Sequence, residues 1–173
     1  MTQREGNVFS ATDTLAMQRA QYRHDKLNHC DIANLHKGER LKHYGLHFCK
    51  YVGRFARGRV EAKPVERTVV DAMLVCLSAA NTLTQKLSDV ELVSHKWKCD
   101  PASLLSFADA AGRFADASEK FDHLEDCVQM AREANGHIYQ WLIAYATLHN
   151  IDLSKGLEKR RLELKERAFY ASE

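Results

Sequence analysis

The 173-residue chain has only two prolines and eight glycines, no CxxC pair among its five cysteines, no long uninterrupted apolar run, and almost no net charge. Each absence removes a class of protein. Few helix breakers, strong 3.6-residue periodicity and no convincing β-alternation argue against a sandwich or barrel and for an all-α domain. Cys30, Cys49, Cys76, Cys99 and Cys127 are odd in number and lack zinc-knuckle spacing. They read as small buried hydrophobes in a reduced, cytoplasmic protein. The longest apolar run, Val69 to Ala80, is interrupted by Asp71 and Ser78 and is too short to span a bilayer. The opening MTQREGNVFS carries no apolar signal region, so neither secretion nor membrane insertion is expected. With 25 Lys+Arg against 23 Asp+Glu, a net charge of +2, the basic excess behind nonspecific nucleic-acid binding is missing. Any phosphate recognition has to be local.

What is present is a series of amphipathic helices, about five to six in one bundle. Ser10 and Asp13 form a capping-box-like start for a helix over 12–28, and the segment HCDIANLHKG turns the chain. A helix over 38–58 follows. A loop over 59–64 closes on Pro64, favourable for the first turn of a helix over 65–86. A weak amphipathic segment over 88–99 contains Val90, Leu92, Val93 and Trp97. Asp100 and Pro101 then signal a long helix with a stripe of Leu104, Phe107, Ala111, Phe114 and Phe121. HLEDC turns into another helix reaching His149, which Asn135 and Gly136 bend or begin, and Ser154 caps a charged helix over 155–169 burying Leu157, Leu164 and Phe169. A repeated Gly-Arg-Phe-Ala, at Gly53 to Ala56 and Gly112 to Ala115, precedes an apolar helix in each half. The chain is read as a single domain with candidate halves 1–87 and 100–173, the shared residues marking either an internal pseudo-repeat or a chance match.

The helix over 38–58 sorts into three faces. Leu41, Tyr44, Phe48, Tyr51, Val52 and Phe55 form an apolar stripe; Gly45, Cys49, Gly53 and Ala56 form a small-residue stripe suited to close helix approach. His43, His47, Lys50, Arg54 and Arg57 form a basic third face. The next helix is apolar almost all round except for a stripe of Thr68, Asp71, Ser78 and Thr82, in which an isolated Asp71 carboxylate requires a cation or a proton. Stripe facing stripe gives either an ion pair that fixes helix register or a cleft for an anionic ligand or a metal. His43 and His47, four apart, have the spacing of two metal ligands but lack the Glu of a hydrolytic HExxH. Phosphate contact by His43, His47, Lys50 and Arg54 suits these side chains better, because a guanidinium fork matches a pair of phosphate oxygens; the alternative is a merely solvated basic face. Asp109, Arg113, Asp116 and Lys120 are explained as solvent-facing i, i+4 pairs. Glu119, Asp122, His123, Glu125 and Asp126 are a clustered acidic segment of the kind that holds Mg²⁺ in all-α phosphohydrolases, or else an acidic helix end with no ion. The His24-Asp25 dipeptide lacks the upstream histidine that an HD hydrolase needs.

The stretch WLIAYATLHNIDLSKGLEKRRLELKER, and LHFCKYVGRFARG followed by TVVDAMLVCLSAANTL, resemble MazG-like all-α nucleotide pyrophosphohydrolases over about 70 residues. The resemblance implies a helical homodimer or pseudo-dimer that cleaves nucleoside triphosphates to monophosphate and pyrophosphate with Mg²⁺ or Mn²⁺. The family's ExxE and ExxD acids fall here on Tyr51, Arg54, Thr68 and Asp71, so only one of four carboxylates is retained. Either Glu119, Asp122 and Asp126 replace the missing metal ligands beside Asp71, or the chain keeps the fold without hydrolysis. The expectation is a nucleotide or other phosphorylated small molecule bound between the helices over 38–58 and 65–86. In a hydrolase Asp71 would serve catalysis with Lys50 and Arg54. The alternative is a noncatalytic interaction protein that docks a partner on the small-residue face or on the Trp141 helix; nucleic acid ranks third.

Overall fold

A computed structural model of the chain describes residues 10–90, 100, 103–123 and 126–168, the side chain of Asp122 excepted. Among these residues there are seven α-helices and no strand: α1 (Ala11–Asn28), α2 (Cys30–Ala33), α3 (Lys37–Arg57), α4 (Val65–Leu83), α5 (Leu104–Lys120), α6 (Val128–Leu148) and α7 (Leu153–Arg167). No helix among them is long and apolar enough to cross a membrane. The central unit is α3, α4, α5 and α6, with α3 packed on α4 and α5 and α6 packed on α5 and α4. Helices α1 and α7 lie together against α4. The core is one cluster, with Phe48, Phe107, Phe114, Met73, Leu77 and Trp141 at its most buried positions.

Local chemistry sets the helix ends. The Ser10 capping box forms as the sequence indicates: Asp13 N donates to Ser10 Oγ at 3.2 Å, and Ser10 N donates back to Asp13 Oδ2 at 3.2 Å. Helix α4 stops at Leu83, three residues short of the expectation, because Thr84 adopts a left-handed conformation (φ 53°). Gln85 N then bonds to Ala80 O at 2.9 Å and Thr84 N to Asn81 O at 3.3 Å, a Schellman closure. Asn150 (φ 54°) ends α6 in the same way. The guanidinium of Arg132 seals the α4 terminus, with Nε and Nη2 at 3.0 and 2.8 Å from Leu83 O.

Several expected boundaries shift. The expected turn after α1 holds the one-turn helix α2. Helix α5 starts at Leu104 with Ser103 as N-cap, so Asp100 does not cap it; Pro101 and residues 91–99, including Leu92, Val93 and Trp97, lie outside the described residues. Asn135 and Gly136 do not begin α6, which runs as one helix through both. Asn135 is fully buried mid-helix and donates through Nδ2 to Cys76 O (3.2 Å) and Gln85 Oε1 (3.0 Å), so its side chain is a tertiary tie and not a breaker. The cap of α7 is Asp152, which accepts from Lys155 N at 3.1 Å, and not Ser154. Leu157 is buried and Leu164 half-buried as expected, while Phe169 lies outside the described residues. Cys76 and Cys127 are buried and Cys30 and Cys49 exposed, all four free thiols.

Helix α1 is unusual because the face it buries is polar: Thr14, Gln18, Gln21, His24 and Asn28. Gln18 satisfies three groups at once. Its Nε2 donates to Gln85 O (2.9 Å) and Asn81 Oδ1 (3.3 Å), and its Oε1 accepts from Leu87 N (2.9 Å). A buried polar face is stable when its donors and acceptors are paired in this way.

Helix α7 approaches α4 through Gly156, where a Cβ would lie 2.6 Å from Val70 Cγ2. Gly156→Ala gains up to about 1 kcal/mol of helix propensity, but Val70 is buried and β-branched and yields only by moving the helices, a cost of roughly 1–3 kcal/mol. The expected result is a lower denaturant midpoint for the alanine variant; a higher one would mean that α7 does not sit this close.

Candidate functional site

A cleft of about 340 Å³ opens between α1, α2, α3, α4 and α7. It brings together every phosphate-contact residue expected from α3, namely His43, His47, Lys50 and Arg54, with Asp71 and Ser78 of α4. Thr82 lines it and bonds to the Tyr44 hydroxyl at 3.3 Å. Thr68, at the other end of the polar stripe, faces a different cavity.

Asp71 has a cation, and more than one. Its Oδ1 accepts from Arg160 Nε at 2.7 Å and lies 3.5 Å from Arg67 Nε, while its Oδ2 lies 3.5 Å from Arg54 Nη1. Glu163 joins the cluster, 2.7 Å from Arg67 Nη2 and 3.2 Å from Arg160 Nη1. The side chains of Asp71 and Arg160 are 11% and 10% exposed, so this junction of α3, α4 and α7 is largely screened from water. The expected ion pair with α3 is therefore present, but its shortest contact comes from α7. Arg160 left a signal in the sequence: it occupies a position in the inward stripe Leu153, Leu157, Arg160, Leu164, where a charged residue needs a buried partner.

The second carboxylate, Asp25 of α1, was not anticipated. It accepts from Ser78 Oγ at 2.6 Å and from Gln21 Nε2 at 2.8 Å, and Gln21 Oε1 in turn accepts from Arg161 Nε at 3.0 Å. Burial pushes its pKa up, opposed by the hydrogen bonds from Ser78 and Gln21. The only hint in the sequence was the polar periodicity of α1, Gln18, Gln21, Asp25 and Asn28, within a helix with little apolar pattern.

The two carboxylates of the cleft are thus already held by protein donors, whereas among the described residues only Arg54 and Arg160 of its cations meet a carboxylate. Lys26, Arg40, Lys50, Arg54, Lys63, Arg160 and Arg167 line it against Asp25 and Asp71. Arg54 reaches Asp71 by one long contact and lies over the Tyr51 ring at 5.6 Å. Among the described residues Lys50 Nζ contacts His47 Nδ1 (3.0 Å) and the Tyr51 ring (4.9 Å) and no carboxylate. Arg40 Nε is buried and has no hydrogen-bond partner among the described residues. The imidazoles add no charge at neutral pH: burial, then Lys50, then His43 lower His47 to about 4, and burial followed by Lys50 lowers His43. His47 Nδ1 accepts from the Lys50 ammonium, which can only donate, and the Tyr51 hydroxyl lies 3.2 Å from the same nitrogen.

The donor set does not support the expected Mg²⁺ or Mn²⁺ site. Among the described residues no three His, Cys, Asp or Glu come together in a group that could hold a metal ion. Asp71 is enclosed by guanidiniums, which compete with a cation for its oxygens. Glu119 is exposed at the far end of α5, 3.5 Å from His123, and Asp126 is exposed beyond it; neither lines the cleft. The acidic segment is not one helix face: α5 ends at Lys120 and a 3-10 turn covers Phe121–His123. Glu125 and the side chain of Asp122 lie outside the described residues. Asp109–Arg113 and Asp116–Lys120 do form surface pairs, at 2.9 and 3.3 Å.

Of the two surfaces expected to dock a partner, the Trp141 side chain is used within the chain, whereas on the small-residue face Gly45 alone is buried, Cys49 and Ala56 being exposed and Gly53 half-buried against Arg57 of its own helix. Gly45 packs on Ala115 and Phe114 of α5, and Trp141 is 1% exposed in the core.

His24 is also buried and lowered to about 4, by burial first and then by His29 and Arg161. Both His24 and His47 are neutral in the folded chain at pH values where an unfolded imidazole, near 6.5, takes a proton. The unfolded state therefore binds more protons between about 6.5 and 4, and stability falls as the pH falls through that window. Asp25, raised by burial, acts with the opposite sign nearer its ordinary value of 3.8. Thermal unfolding followed by circular dichroism should show Tm dropping from pH 6.5 to 4.5, less steeply in His47→Gln; a flat profile would contradict the buried neutral imidazoles.

No known protein family, curated protein or solved structure matches the chain.

Proposed function

We propose that the cleft between α1, α3, α4 and α7 binds a phosphorylated small molecule, a nucleotide foremost, by direct Arg and Lys contact without a resident metal. The observation that carries this reading is the imbalance of charge. A protein of net charge +2 gathers seven lysines and arginines around one cleft whose two aspartates are already engaged by protein donors. Uncompensated cations in a concave, partly desolvated site focus potential and favour a polyanion. Arg54 and Arg40 supply guanidinium forks, and Lys50 and Lys63 supply point charges at its rim.

Asp71 in this reading anchors Arg54 and Arg160 so that they face the cleft in fixed positions, and it is not the attacking or metal-binding group. His47 accepts from Lys50 and orients its ammonium. The activity proposed is therefore binding. Titration of the full chain with sodium tripolyphosphate in the presence of EDTA tests it: saturable binding to one site is expected, and no binding would overturn it.

A further inference from the structure

A second cavity of about 550 Å³ lies on the other side of Arg54. Its wall is aromatic: Phe55 meets Trp141 edge-on at 5.3 Å, and Trp141 stacks on Tyr145 at 4.7 Å. Arg54 and Lys63 line both cavities, so the basic cleft and the aromatic one share a boundary. One polar side chain stands out in the aromatic cavity. Thr68 is 1% exposed, and its Oγ1 has no hydrogen-bond partner among the described residues.

Resting on the reading of the basic cleft, we propose that the aromatic cavity is the base subsite of the same ligand, which is a nucleoside polyphosphate. The phosphates lie on Arg54, Lys50 and Lys63, and the planar heterocycle lies against the half-buried rings of Phe55 and Tyr145, which the buried Trp141 backs. Flat rings pair well with aromatic walls. The Thr68 hydroxyl selects a heterocycle over an aliphatic chain, because a lipid tail would leave that buried hydroxyl unsatisfied, whereas a ring nitrogen or carbonyl completes it. The arrangement on the helices is consistent with such a division: Arg54 and Phe55 are adjacent on α3, and Thr68 and Asp71 are one turn apart on α4.

The test is calorimetric titration of the full chain, in EDTA, with inorganic tripolyphosphate and with the adenine, guanine, cytosine and uracil ribonucleoside triphosphates. At least one nucleoside triphosphate is expected to bind about tenfold or more tighter than tripolyphosphate. Thr68→Val, which keeps the shape and removes the hydroxyl, should remove about tenfold of that nucleotide's affinity and leave tripolyphosphate unchanged. Tyr145→Leu, at a partly exposed position, reads the same split if the valine variant does not fold. Nucleotides that bind no tighter than tripolyphosphate, or variants that weaken both probes equally, would overturn the base subsite and leave the basic cleft standing. Binding of neither probe would overturn both.

Discussion

Asp71→Asn is expected to make the protein less stable and its anion binding tighter. The carboxylate is the common partner of Arg160, Arg67 and Arg54, at 2.7, 3.5 and 3.5 Å, and its side chain is 11% exposed. Removing one member of a buried ionic cluster leaves the others uncompensated, which costs about 3–5 kcal/mol. Glu163 still meets Arg67 and Arg160, so the loss falls within that range and not beyond it. The same change releases Arg54 and Arg160 from a competing anion on the wall of the cleft, so tripolyphosphate should bind more strongly to the variant that remains folded. A metal-ligand or catalytic Asp71 has the opposite signature, lost ligand affinity or turnover with stability nearly unchanged. Denaturant unfolding and a titration of the same sample separate the two; unchanged stability would refute the anchoring role.

Lys50→Gln and Arg54→Gln are each expected to weaken tripolyphosphate binding by about tenfold or more, since a charge-assisted hydrogen bond contributes about 1.5–3 kcal/mol. Their effects on stability differ. Lys50 is exposed and among the described residues meets His47 and the Tyr51 ring but no carboxylate, so its variant should unfold within about 0.5 kcal/mol of the parent. Arg54→Gln removes the long contact to Asp71, but Arg160 and Arg67 continue to neutralise that carboxylate. Lys155→Gln on the surface of α7 is the control, its side chain 87% exposed and outside the cleft, and should bind as the parent does. Raising the salt concentration should weaken binding to all four proteins, because the attraction is between charges at least partly open to solvent.

The helical class and the pairing of α3 with α4 were legible because they rest on local periodicity. Leu41, Tyr44, Phe48 and Tyr51 are buried where the helical wheel puts them, and His43, His47, Lys50 and Arg54 share the cleft it implied. What pairs with Asp71 most closely was not legible. Arg160 lies 89 positions away, and no periodic pattern encodes which helix folds back onto which. Helix α1 was opaque for a related reason: its buried face is polar, so a search for apolar stripes finds nothing to follow. The acidic segment after α5 misled because a wheel treats 119–126 as continuous helix, and the chain leaves helical geometry in the middle of it. Thr68 and Tyr145 carried no sequence signal as a pair, since their common cavity arises only when α4 and α6 pack against Phe55 of α3.

The most direct measurement is isothermal titration of sodium tripolyphosphate into the full chain and its Lys50→Gln, Arg54→Gln and Lys155→Gln variants, with EDTA present throughout. Metal-independent, single-site binding that is weakened in the first two variants and preserved in the third is the predicted result. Absence of saturable binding, or equal affinity in all four proteins, would contradict the assignment of this cleft to a phosphorylated ligand.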